Sequence, residues 1–409
     1  MEELTRIFAN RCFLARNEVF PFLAGIHANT GLLRNAILVL AAAPLVYYLL
    51  ASLAGLRFFR RQRAGSRVTF TPPISILKPV HGVDFASREN FSSFCRQDYP
   101  DYEILFAVND ESDPAVPIIR SVISQFPEHK IRLFSGAPRI GANQKVNNLA
   151  LLVREAQHDV LVLTDGDVRV GPLYLRKIVA PLADNEIAAV TSFYRAVAEP
   201  NLWAELEAVG ASGDFFPSVL MASVTEGIHF TLGASVATSK QWLATIGGFA
   251  SFADYLADDF ELGNRLSRSG GHIVLSREPV WTVYSAQTWR GFWQHQLRWA
   301  RTIRLCRPLS YAGLLLTQGL PWAVLGALLA PSGAIAAADL GAYLLLRIVM
   351  AWIVGVRGID DAVLRRRIWL LPLRDAVHFA VWLAGFFSSR VVWNGVQYKV
   401  QNGRMIPIP

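Results

Sequence analysis

The stretch VLVLTDGDVRV, residues 160–170, decides how this chain folds. An apolar run of strand length, 160–164, passes without a break into Asp165-Gly166-Asp167. Two carboxylates two residues apart at a strand end can converge on one hard divalent cation, Mg2+ or Mn2+. Such a cation would hold the diphosphate of a nucleotide sugar and stabilise it as it leaves. Asp-Gly also makes ordinary turns, so the surrounding sequence has to choose between the two readings.

Upstream, residues 74–77, 103–108 and 131–134 are further compact apolar runs, separated mostly by helical patterns such as 143–155. This alternation predicts βαβ units and an α/β domain over residues 68–308. Its sheet should be mostly parallel, with ligands at the carboxyl ends of the strands. Those ends are polar. Lys78 and Asp84 follow the first run, with Lys78 placed to meet phosphate. Asp110 closes the second, where a carboxylate can accept the N–H of a uracil ring. Lys145, within NQKVNN at 143–148, opens a helix whose first backbone N–H groups suit an anion. Asp258 and Asp259 begin another helical run, where acids commonly complement the helix dipole. The chemical alternative is that one of them takes the proton from an attacking hydroxyl.

The chain has 409 residues, 52% of them hydrophobic, and the apolar excess lies at its two ends. After an N-terminal segment, 1–34, residues 35–56 are about one bilayer span. Arginines at 57, 60, 61 and 63 follow, so the positive-inside rule puts the 68–308 domain in the cytosol. Residues 309–330 and 334–356 predict two more spans. Residues 368–387 hold Arg374, Asp375 and His378, which makes them either a span or a re-entrant or interfacial segment. Residues 388–409 read as a polar tail. The net charge of +8 comes from arginines beside the apolar stretches. No zinc-finger, basic-zipper or RNA-binding signature directs it to nucleic acid. Cys12, Cys95 and Cys306 lie far apart without a CxxC spacing. They offer neither a metal site nor a disulfide framework, in keeping with a reducing compartment.

Two further stretches point to a lipid. Residues 287–304, QTWRGFWQHQLRWARTIR, make an amphipathic, basic, Trp-rich helix of the kind that lies at headgroup level. Its His295, Arg298 and Trp299 can also face the site. Residues 213–221, GDFFPSVLM, are apolar for a loop-like region and are read as the lining of a lipid entrance.

Taken in order, Lys78-Pro79 with Gly82-Val83-Asp84, then Asp165, Asp259 and His295-Gln296-Leu297-Arg298-Trp299 resemble the D, D, D, (Q/R)xxRW pattern of ceramide glucosyltransferases. These belong with the family-2-like inverting transferases of the GT-A fold. Asn147-Asn148-Leu149 and Gly247-Gly248-Phe249 are similar to that group too, and the likeness covers nearly the whole chain. One departure stands out: His295 occupies the position of Gln or Arg. Residues 295–308 equally resemble a bacterial branch that glycosylates hopanoid lipids.

The resemblance implies a GT-A domain facing the cytosol of a multi-pass protein in a bacterial inner membrane. It implies Asp84 and Asp110 at the donor nucleotide, Asp165 and Asp167 at a metal ion and the diphosphate, and Asp259 as base. Lys78, Lys145 and His295 join the donor site, and Arg298 and Trp299 lie near the diphosphate and acceptor. The implied reaction moves a hexose, glucose first, from a UDP-sugar to a membrane-lipid hydroxyl with inversion. The alternative is sugar transfer to a hopanoid or other lipid. A reading of another class is a nucleotide-binding transporter or scaffold, motivated by Asp339 and Arg347 inside an apolar segment.

Overall fold

The computed structural model describes residues 35, 37–60, 70–393 and 396–408. The expectations for segment 1–34, including Cys12, and for Arg61 and Arg63 fall outside them. The chain divides into two compact units, Met1–Tyr48 with Leu314–Arg347 and Leu49–Gly313 with Ile348–Pro409.

The second unit is built on an eight-stranded sheet. Its strands are β1 (Ile74–Pro79), β2 (Tyr102–Val108), β3 (Lys130–Ser135), β4 (Val160–Thr164), β5 (Val168–Arg169), β6 (Ile187–Ala198), β7 (Ser235–Ser239) and β8 (His272–Tyr284). They lie in the order β3-β2-β1-β4-β7-β6-β8-β5. The run β3-β2-β1-β4 is parallel throughout, as is β6 with β8, while β7 and β5 pair antiparallel. The side-chain alternation explains the burial of both faces. Ile74, Ile76, Ile104, Phe106 and Val162 fill the core on one side. Leu77, Leu105, Leu161 and Leu163 fill it on the other. Because β1, β2 and β4 run the same way, the loops bearing Asp84, Asp110 and Asp165 all leave one edge of the sheet.

Residues 213–221 are not a loop. They continue from the helix Leu202–Gly210 through one π turn, Ala211–Phe215, into the helix Phe216–Thr225. Phe216 is fully buried and packs edge-on against Phe193 and Tyr194, so it is a core residue and not part of an entrance.

Among the described residues, two helices are long and apolar enough to cross a membrane, Ile37–Arg60 and Gly333–Gly358. The apolar stretch beginning at 309 is a bent pair, Pro308–Thr317 and Gly319–Leu329, meeting at 49°. In the first unit, the Gly319 N–H at this bend donates to the Tyr48 hydroxyl at 2.9 Å. Beyond the membrane helices, Leu371–Gly385 buries Arg374, which donates to Asp214 at 2.7 Å and to Gln296 at 2.8 Å. The last residues form a second, three-stranded antiparallel sheet of β9 (Arg390–Trp393), β10 (Val396–Gln401) and β11 (Arg404–Pro407).

Candidate active site

The turn after β4 is held from beneath. Lys78, fully buried at the end of β1, donates to the Thr164 hydroxyl at 3.0 Å and to the Asp165 carbonyl at 2.8 Å. Its ammonium also lies 4.0 Å from the centre of the Phe94 ring. Burial pushes its pKa down to about 7, against the pull of Asp167, Asp165 and Asp84. Lys78 therefore braces the Asp165–Asp167 turn.

The upper side of the turn faces a second charged lysine. Asn143 caps the helix Gln144–Glu155 by accepting from the Val146 N–H at 3.1 Å, which fixes the first turn that carries Lys145. Lys145 Nζ lies 2.6 Å from Asp165 Oδ1 and 3.3 Å from Asp258 Oδ2. Burial disfavours its charge, but Asp165 and Asp258 outweigh that and hold the ammonium well above its usual range.

Asp259 completes the group. Its carboxylate accepts from the Gly233 N–H at 3.1 Å and from its own helix at Phe260 N–H at 2.8 Å. A Cβ at position 233 would lie 3.2 Å from Asp259 Oδ2, so the close approach favours glycine there. Burial, reinforced by the charge of Asp258, pushes the Asp259 carboxyl up to about 6. Lys145, Asp165, Asp258, Asp259 and Gly233 line one cavity.

Arg298 feels the charges of Glu207, Asp258 and Asp259, although burial lowers its pKa. One turn earlier, His295 Nδ1 hydrogen-bonds Glu207, a buried acid from the helix Leu202–Gly210. Glu207 also accepts from Gln287 at 2.6 Å. Trp299 is partly exposed and meets Phe215 edge-on.

Asp84 is tied locally, accepting from Ala86 N–H at 2.7 Å, and acts on Lys78 and Asp167 through its charge. Asp110 is exposed and bonded to Ser112. The buried acid of that loop is Asp113, whose carboxylate accepts from Gly82 N–H at 3.1 Å. Sequence reasoning passed over Asp113 and Glu207. Asp113 sits before a proline at a helix start in the stretch ESDP, which is a capping signal.

Glycosyl transferase family 21 matches residues 36–406. The chain belongs to this family. Relatives of this family 21 glycosyltransferase include ceramide glucosyltransferase 1 of Caenorhabditis elegans, 28% identical over 233 residues, which is 56% of this chain and 49% of that one. Ceramide glucosyltransferase 3 of the same organism is 26% identical over 231 residues, 56% of this chain and 50% of the relative. The chain thus spans about half the length of these curated relatives. Among solved structures, the mannosyltransferase PcManGT from Pyrobaculum calidifontis, in complex with GDP-Man and Mn2+, aligns with a TM-score of 0.53 at 19% identity. The match covers 87% of this chain and 99% of that one. The α/β sheet of the family 21 transferase is accordingly of the GT-A type.

Among the described residues, no group of three or more His, Cys, Asp or Glu side chains forms a metal cluster. Asp165 and Asp167 are the carboxylates of the turn after β4 that would receive a divalent cation, and Asp165 is ion-paired to Lys145. Burial and the charge of Asp165 raise the Asp167 carboxyl, and a cation with two positive charges would relieve that repulsion.

Proposed function

We propose that this family 21 transferase moves a hexose, glucose first, from a UDP-sugar to a membrane-lipid hydroxyl, with inversion. The observation that carries the proposal is the position of Asp259. It is a partly desolvated carboxylate with raised pKa, and it shares a cavity with Asp165 at the end of β4 and with the lysine that bridges the two sides.

In this reading Asp259 accepts the proton of the acceptor hydroxyl. The oxygen attacks the anomeric carbon on the face opposite the UDP, and the bond to the diphosphate oxygen breaks with its electron pair going to UDP. One displacement converts an α-linked donor into a β-glycoside without a covalent enzyme intermediate. Lys145 and Arg298 supply positive charge where the diphosphate becomes more negative. Lys78 keeps the Asp165–Asp167 turn in place, and Asp84 and Asp110 stand on the loops that would receive the nucleotide. Mg2+ or Mn2+, held by Asp165 and Asp167, would supply further counter-charge to the leaving diphosphate. The two candidate membrane helices and the Trp-rich helix Trp289–Cys306 support an acceptor delivered from the bilayer. Arg57 and Arg60, at the end of the first membrane helix, support a catalytic unit on the cytosolic side of a multi-pass protein in a bacterial inner membrane.

Mass spectrometry of membrane lipids from cells with and without the protein tests the proposal. A hexosylated ceramide present only with the protein is the expected result. A glycosylated hopanoid in its place would keep the chemistry and change the acceptor. Identical lipid profiles would refute it.

A further inference from the structure

The C-terminal sheet is joined to the segment that leads into Asp259. Its β10–β11 hairpin turns on Asn402 and Gly403, whose φ values of 50° and 79° are those of a two-residue type I′ turn. The outer edge of β11 is hydrogen-bonded to residues 254–256. Met405 N–H donates to the Asp254 carbonyl at 2.7 Å, and Leu256 N–H donates to the Gly403 carbonyl at 3.1 Å. Tyr255 and Arg404 form an antiparallel bridge between these two bonds. On its other side the same segment is held by the loop that precedes Lys145. Asn143 N–H donates to the Ala253 carbonyl at 2.8 Å, its side-chain amide donates to the Tyr255 carbonyl at 2.9 Å, and Ala142 N–H donates to Asp254 Oδ1 at 2.9 Å.

The sheet also grips the helix that carries Arg298 and Trp299. Arg301 donates to the Arg390 carbonyl at 2.6 Å, and Arg304 donates to the Ser388 carbonyl at 2.8 Å. Leu256, Val391, Tyr398, Val400 and Met405 form a small buried cluster, with Leu305 of that helix against it. One element therefore contacts both the approach to Asp259 and the arginine helix.

We infer that the β10–β11 hairpin is a positioning element of the active site, setting Asp259 against Arg298 and Trp299 through Met405 N–H and the Gly403 carbonyl. The inference rests on the reading of Asp259 as base. The donor turn at 165–167 is built on β4 and braced by Lys78, so loosening the hairpin spares donor binding and damages transfer.

Met405→Pro in the full-length protein is the test. Val400, opposite Met405, sends its own N–H to Ser389, away from β11. The Met405 N–H thus faces outward, and proline removes the bond to Asp254 without removing a β10–β11 bond. UDP affinity should stay within about twofold of wild type, while kcat for transfer falls on the order of 10²-fold, the scale of a small misplacement at a reacting centre. Met405→Leu, which keeps the N–H, should behave as wild type. In an Asp259→Asn background, Met405→Pro should cost little more, because the group it positions is already gone. Unchanged turnover of Met405→Pro would overturn the inference, as would equal losses of UDP affinity and turnover, or a full additional loss in the Asp259→Asn background. Wild-type protein that turns over no UDP-sugar would refute the proposed function, and this inference with it.

Discussion

Lys145 Nζ stands 2.6 Å from Asp165 Oδ1, and the same ammonium reaches Asp258 Oδ2 at 3.3 Å. A single cation thereby joins the carboxylate at the end of β4 to the acidic pair at the start of the helix Asp258–Arg268. Without it, Asp165, Asp167, Asp258 and Asp259 would share the site with less opposing charge.

Lys145→Met should therefore lower the melting temperature of the metal-free protein, since uncompensated carboxylates are left in a partly buried site. Mn2+ alone should raise the melting temperature more in the variant than in wild type, because the added charge replaces what was lost. Thermal melting with and without Mn2+ reads both effects. A variant that melts like wild type in both conditions would remove the electrostatic role given to Lys145.

Asp259, and not Asp258, is expected to be the base. Asp259→Asn should lower turnover on the order of 10²-fold or more with UDP binding near normal. Its pKa of about 6 also fixes the pH dependence. The base works as carboxylate, so activity is present above that value and is lost as pH falls through it, by about tenfold per unit further down. An Asp258→Asn variant that is more damaged than Asp259→Asn would reverse the two assignments.

The parts of this fold that were legible in sequence are those where one local signal dominates. Residues 160–164 are a strand to the residue, because an apolar run meets an Asp-Gly turn with nothing to blur the boundary. The helix expected over 143–155 forms over Gln144–Glu155, with Asn143 as its cap. The second sheet is not legible in hydropathy, by which residues 388–409 read only as a polar tail. The informative signal was turn chemistry, since QNGR at 401–404 holds an Asn-Gly pair at the two positive-φ positions. Glu207 was invisible for another reason. One of two acids in an otherwise apolar helix, it shows its purpose only when the partners, His295 and Gln287, arrive from more than seventy residues away.

The apolar stretch at 213–221 divides into two roles. Phe216→Ala should cost about 3–5 kcal/mol of stability, as a fully buried ring packed on Phe193 and Tyr194. Phe215, half-buried beside Trp299, should be milder in stability, and Phe215→Ala should reduce lipid transfer more than slow UDP-sugar hydrolysis. Equal loss of both activities in Phe215→Ala would make that residue structural as well.

Topology can be read from an exposed loop. Ser112 lies on the surface beside Asp110. A cysteine there, Ser112→Cys, should resist an impermeant thiol reagent in intact cells and react after lysis. Labelling in intact cells would place the catalytic unit on the far side of the membrane, away from the cytosolic supply of nucleotide sugars.

The central claim is direct displacement of UDP by a lipid hydroxyl, helped by a divalent cation at Asp165 and Asp167. Purified protein given UDP-α-glucose and ceramide in lipid vesicles, with Mn2+ or with EDTA, tests it most directly, with the anomeric configuration of the product read by NMR. A β-linked glucosylceramide should form with Mn2+, with little product in EDTA or from Asp165→Asn. An α-linked product, or full activity of Asp165→Asn in EDTA, would contradict it.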